Sequence, residues 1–236
     1  MVNLQQVSKS FGKLEVLKGL NATFEEGKIT AVVGPNASGK TTLMKSILGL
    51  VLADDGQIQI DGETAFHNPL SRSKIGYMPQ KAQFPDNLKP IELLNWVQDL
   101  RDEKSPRLHA LIDYFQLTPH LDKPLRVLSG GTRQKVSAVL TFLFDPPVLI
   151  LDEPSAGLDP VASSRLKDKI LEEKRRGKVI ILTSHVMSEL EELADEVLFL
   201  LEGKIVFKGS LDEIRKRTGE PRLERAIAKF MEGRGL

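Results

Sequence analysis

The sequence contains no cysteine. That excludes disulfides, thiolate zinc sites and thiol catalysis, and it fits a reducing compartment. Net charge is missing too: over 236 residues, 33 Lys and Arg face 32 Asp and Glu, leaving a formal charge of +1. Such a balance lacks the basic footprint of a nucleic-acid binder, so no nucleic acid is expected as a partner. Long apolar runs are absent as well. Pieces such as Val148–Leu151 and Val197–Leu201 are strand-length, far short of the ~20 residues that cross a bilayer. The opening MVNLQQVSKSFG has no apolar stretch of the kind a signal peptide needs. The chain is therefore expected to be soluble by itself and cytoplasmic. It shows no internal repeat, low-complexity segment or flexible linker.

What is present is an α/β alternation. Short alternating segments (Val2–Val7, Leu14–Leu17, Leu20–Phe24) predict an antiparallel sheet. Continuous apolar runs at Ile29–Val33, in PVLIL and in KVIILT predict strands buried on both faces. A helix is expected over Pro160–Arg176, and a hairpin turning at Glu202-Gly203-Lys204. Between Phe84 and Phe144 apolar residues recur at three- and four-residue spacing, which predicts helices. The expected organisation is one α/β body, residues 1–84 and 145–210. A helical subdomain over 85–144 interrupts it, and a helical tail over 211–236 follows, with Leu223, Ile227, Phe230 and Met231 on one face.

Three clusters carry chemistry. Gly34-Pro35-Asn36-Ala37-Ser38-Gly39-Lys40-Thr41 fits a phosphate loop between a strand and a helix, with Thr42 following. Its backbone N–H groups and helix N-terminus favour an anion, Lys40 reaches terminal phosphates, and Thr41 can ligate Mg²⁺. Asp152 and Glu153 sit where a buried strand ends, the edge at which open α/β sheets collect ligands. Asp152 suits metal coordination, and Glu153 suits a general base on attacking water. His185 stands just past another strand end, while Gln80 lies at the junction with the helical segment and could touch Mg²⁺ or water. His67, His109 and His120 lack such a setting and read as structural or exposed. A second glycine pair occurs in Leu128-Ser129-Gly130-Gly131, before a helix expected from about Thr132.

In this order the motifs resemble the nucleotide-binding subunit of an ATP-binding cassette (ABC) transporter, over almost the whole chain. The resemblance implies a P-loop NTPase core, RecA-like, with an antiparallel β subdomain and an inserted α-helical subdomain. It implies ATP and Mg²⁺ as cofactors, with Thr41, Gln80 and Asp152 at the metal and Glu153, His185 and Gln80 in catalysis. Phe11 takes the position that stacks on adenine; the alternative for it is a core aromatic. Ser129, Gly130 and Gly131 would close over the γ-phosphate held by a second subunit, in a head-to-tail homodimer or heterodimer. Asp159, in AGLDP, joins the nucleotide-binding set.

Departures from the family pattern are few. Ala37 replaces a frequent glycine, so an ordinary negative φ is expected there. Thr132 replaces glutamine, which weakens a contact to ribose, and Ala156 replaces a serine or threonine. The implied function is ATP hydrolysis that powers separate transmembrane permease subunits, on the cytoplasmic face of the membrane. The short tail leans towards the exporter branch, which includes multidrug, copper-processing and gliding-related systems. The alternatives are a soluble assembly ATPase of the iron–sulphur type and, less well matched, a P-loop kinase.

Overall fold

The computed structural model describes residues 1–65 and 69–231. His67 and the tail beyond Met231 lie outside the described residues. Two sheets organise the chain. In the first, β1 (Val2–Phe11), β2 (Leu14–Phe24), β4 (Asp55–Ile60) and β5 (Glu63–Thr64) run antiparallel in the order β2-β1-β4-β5. Leu14–Leu17 and Leu20–Phe24, expected as two segments, form one strand. Register shifts against β1 and a left-handed Gly19 (φ 61) absorb the break between them.

The second sheet has the order β10-β9-β3-β8-β7-β6. Its strands are β3 (Ile29–Val33), β6 (Ile75–Met78), β7 (Val148–Asp152), β8 (Val179–Thr183), β9 (Glu196–Leu201) and β10 (Lys204–Ser210). All neighbours are parallel except the β9–β10 hairpin. That hairpin turns on Glu202 (φ 48) and Gly203 (φ 79), the two positive φ values a two-residue turn of matching twist demands.

The apolar runs are continuous because each parallel strand feeds two cores at once. Ala31, Leu149, Leu151, Ile180 and Leu182 pack on one face, while Val32, Val148, Ile150, Val179 and Ile181 pack on the other. Side chains alternate along a strand, so only an unbroken apolar run serves both faces. The second face is covered by the antiparallel sheet and α1 (Lys40–Ile47). The short α2 (Pro69–Ser73) precedes β6. The first face is covered by α3 (Pro90–Arg101), α4 (Leu108–Tyr114), α5 (Gly130–Phe142), α6 (Pro160–Arg175), α7 (Met187–Leu193), α8 (Leu211–Thr218) and α9 (Leu223–Met231). The buried face of α9 is Leu223, Ala226, Ile227 and Phe230. Among the described residues no helix is long and apolar enough to cross a membrane.

At the N-terminal edge of the parallel sheet, Glu173 of α6 has a side chain 0% exposed. It accepts from Arg107, Lys169, Arg176 and Lys178 at 2.6 to 2.9 Å. Burial alone would raise its carboxyl, but hydrogen bonds from Lys178, Lys169 and Arg107 outweigh that and hold it down at about 2. This network locks one end of the sheet. The opposite end, where β3, β6, β7 and β8 all finish, carries the candidate chemistry.

Candidate functional site

The chain leaves β3 at Gly34, whose φ is 155. A Cβ there would lie 2.1 Å from the Leu200 carbonyl oxygen, so only glycine lets the loop cross β9. Gly39 then N-caps α1. Ala37 has φ 62, which corrects the expectation of an ordinary negative φ. The tight curl of the loop imposes a left-handed backbone whichever residue stands there, and the methyl group costs roughly 1–2 kcal/mol.

The Lys40 ammonium folds back along the loop and donates to the carbonyls of Gly34 (2.7 Å) and Pro35 (2.9 Å). Burial lowers its pKa, while the charges of Glu153 and Asp152 oppose that shift. Both carboxylates therefore stand within electrostatic reach of the lysine. Ser38 is buried, and its hydroxyl has no hydrogen-bond partner among the described residues. From the hairpin turn, the Gly203 N–H donates to the Ser38 carbonyl at 3.1 Å and supports the loop from behind.

The acidic end is organised by a residue that motif reading missed. Asp152 pairs in register with Thr183 on the next strand, and the Thr183 hydroxyl donates to Asp152 Oδ1. The same hydroxyl accepts the Glu153 N–H at 3.1 Å. One threonine thus holds the Asp152 carboxylate and the Glu153 backbone together. Glu153 has φ 47, an uncommon value for a residue other than glycine, and its Oε1 sits 3.1 Å from His185 Nε2. The His185 side chain is 58% exposed and open to a ligand.

Asn36 to Thr42, Gln80, Asp152, Glu153, Thr183 and His185 all line one cavity of about 430 Å³. Leu14 and Val16 of β2 form its apolar wall, a pair the motifs did not indicate. Phe11 is not among the lining residues. It lies beside them, paired in register with Leu14 and 53% exposed, so it is no core aromatic. His109 is exposed and His120 partly buried, and neither joins the cavity.

Ser129, Gly130 and Gly131 do not line this cavity. Helix α5 begins at Gly130 rather than near Thr132, because the Ser129 hydroxyl caps it by accepting the Thr132 N–H at 3.1 Å. The Thr132 hydroxyl is itself bonded to Ser129 at 2.9 Å. Gly131 is packed closely: a Cβ there would lie 2.8 Å from the Gly157 carbonyl oxygen, whereas one on Gly130 would meet nothing within 4 Å. Gly130 instead faces a second groove of about 540 Å³, shared with Gln80, Phe84, Arg133, Gln134 and Ala156. Gln80 belongs to both cavities. Gln134, 2% exposed, donates to the carbonyls of Pro79 (3.2 Å) and Pro154 (3.4 Å), tying α5 to both site loops. Asp159, expected in the nucleotide set, is the N-cap of α6: it accepts the Ala162 N–H at 2.9 Å and stands apart from the cavity.

The donors present fit a nucleotide phosphate chain with a hard divalent cation. Ser38 offers an orphaned buried hydroxyl, Lys40 a movable ammonium, and Thr41, Gln80 and Asp152 oxygen atoms. Among the described residues no group of three His, Cys, Asp or Glu could hold a metal alone. Mg²⁺ binds through one or two protein oxygens plus substrate phosphates.

A family model described as "ABC transporter" matches residues 17–156. The chain is 32% identical to a lantibiotic transport ATP-binding protein of Streptococcus pyogenes, over 90% of this chain and 92% of the relative. It is 33% identical to an ABC transporter ATP-binding protein of Synechocystis sp., covering 86% of this chain but 58% of the relative's length. A solved structure described as the ATP-binding subunit of an ABC transporter superposes with a TM-score of 0.91, at 29% identity, over 97% of this chain and 98% of the other.

Proposed function

We propose, from the premise that this chain belongs to the ABC transporter family, that it is the subunit that binds and hydrolyses ATP for separate membrane permease subunits. The observation that carries this reading is the convergence of Lys40, Asp152, Glu153 and His185 on a single cavity at the sheet's C-terminal edge. The soluble assembly ATPase is not favoured, since the relatives found are described as transport proteins.

In this reading the phosphate loop, with Gly34, Asn36, Ala37, Ser38, Gly39 and Thr42, cradles the phosphates through backbone N–H groups and the α1 N-terminus. Lys40 exchanges its carbonyl partners for the terminal phosphates. When bound, Mg²⁺ neutralises charge on the phosphate oxygens, and Thr41, Gln80 and Asp152 are the donors we assign to it. Glu153 orients a water and accepts its proton as the water oxygen attacks the γ-phosphorus. The bond to the bridging oxygen breaks, and ADP leaves. His185 holds the Glu153 carboxylate and faces the γ-phosphate. Phe11, beside Leu14, stacks on adenine.

Ser129, Gly130 and Gly131, which avoid their own chain's cavity, act on the nucleotide of a second subunit in a head-to-tail dimer. The groove beside Gln80 receives a helix of the permease, which places the protein on the cytoplasmic face of the membrane. The helices α3 to α5 suit residues 85–144 as a subdomain set between 1–84 and 145–210, with a tail from 211. Glu153→Gln tests the core of this reading. ATP binding should persist while hydrolysis falls by about 10²- to 10⁴-fold, the usual worth of a general base. Near-normal turnover in that variant would remove Glu153 from the mechanism.

A further inference from the structure

Two loops leave the sheet at the reacting end. One follows β7 and carries Glu153 and Ser155; the other follows β8 and carries Ser184 and His185. The carboxylate of Glu189, on α7, is shared between them. It belongs to a residue only 7% exposed. Its Oε1 accepts the Ser155 hydroxyl, and its Oε2 accepts the Ser184 hydroxyl at 2.6 Å. The Ser184 oxygen in turn accepts the N–H of Val186 at 3.1 Å, so the bond reaches past His185 on both sides. Among the described residues no lysine, arginine or histidine pairs with Glu189. A buried carboxylate without a counter-ion is costly unless fixed donors replace its water. Here the two donors come one from each loop, and an apolar residue at position 189 could link neither.

We infer that Glu189 is a positioning residue that clamps the turn behind Glu153 to the loop of His185. The clamp sets the 3.1 Å contact between Glu153 and His185 before substrate arrives. It also carries a displacement of the turn at Ser155–Asp159 across to His185. That turn adjoins the start of α5, because the Gly157 carbonyl backs onto Gly131. A partner subunit pressing on one loop is therefore felt at the other. The inference rests on the ATP-hydrolysis reading of the site.

Ser155→Ala and Ser184→Ala each remove one arm with a minimal change of volume. Amide hydrogen exchange in the nucleotide-free chain reads the clamp without activity. Ser155→Ala should speed exchange over residues 184–187, and Ser184→Ala over residues 154–158, each by roughly tenfold, the worth of one hydrogen bond to a carboxylate. In steady-state ATPase assays both variants should lower kcat about tenfold and leave KM within about twofold, since the phosphate loop is untouched. Adding either serine change to Glu189→Ala should do nothing more, because the linkage is already gone. If each hydroxyl deletion quickens only its own loop, the clamp is overturned. It is equally overturned if kcat stays within about twofold of the parent. Should Glu189→Ala fail to fold, the two serine variants still decide. A parent chain that hydrolyses no ATP defeats the functional reading instead, and the exchange data then judge the clamp by themselves.

Discussion

Pairing a subunit carrying Lys40→Ala with one carrying Gly130→Asp asks whether the second glycine pair serves its own chain or another. The Lys40 ammonium is the movable cation of the phosphate loop, held at 2.7 and 2.9 Å by loop carbonyls. Its loss removes charge-assisted bonds of ~1.5–3 kcal/mol each, so ATP binding should weaken at least roughly 10-fold. Gly130 is the better choice for the second lesion. A Cβ there meets nothing within 4 Å, whereas one on Gly131 would strike the Gly157 carbonyl at 2.8 Å. A carboxylate in the first turn of α5 is favoured by the helix dipole, so the fold should tolerate it while the new charge faces an incoming phosphate. Each pure variant then has a broken half in both sites of its dimer. In a mixed dimer with sites shared across the interface, one site carries both lesions and the other carries none. Since like pairs do not associate, the dimers formed in an equal mixture are mixed ones, each with one intact site of two. ATP-dependent association should therefore rise well above that of either variant alone, and hydrolysis should reach about half of the parent level at most. Sedimentation velocity with ATP and Mg²⁺ is the primary assay, since coupling between sites could silence a lone intact one. If the mixture associates no more than the separate variants, the shared-site reasoning is refuted.

Phe11→Ala should weaken ATP binding by about 1–3 kcal/mol, the range of base–aromatic stacking, while Phe11→Tyr stays nearly silent. Because the side chain is 53% exposed, the melting temperature should hardly move; a large drop would mark Phe11 as structural. Glu173→Ala should cost about 3–5 kcal/mol in urea unfolding, since four cations lose a buried partner. Its carboxyl is held at about 2 against a reference of 4.5, so its stabilisation is complete above that reference and is lost as pH falls towards 2. Stability measured between pH 5 and pH 2 should thus fall less steeply in Glu173→Gln than in the parent; equal slopes would contradict the pairing.

The parallel strands and the phosphate loop were legible because each is written in contiguous residues. A five-residue apolar run bounded by turn residues reads as a strand facing two cores, and Gly34 to Thr41 is a local chemical pattern. At Ala37 residue type does not set φ; closure of the loop does. The start of α5 is not legible from the glycines, because the Thr132 N–H donates to the Ser129 hydroxyl and the helix extends back over both glycines.

Thr183, Gln134 and Glu189 could not be found from spacing at all. Each acts through a partner 20 to 55 residues away, and only strand register and helix packing decide which partner that is. Sequence by itself determined which groups could do chemistry and that they would gather where the strands end. Tertiary structure alone decided that one threonine holds the Asp152 carboxylate and the Glu153 backbone. It likewise decided that one buried glutamate joins two loops, and that Gly130 lines a groove other than its own chain's phosphate-loop cavity. The reason is physical: a hydrogen bond has a direction and a length of about 3 Å, and a chain sets neither between distant residues until its sheets are in register.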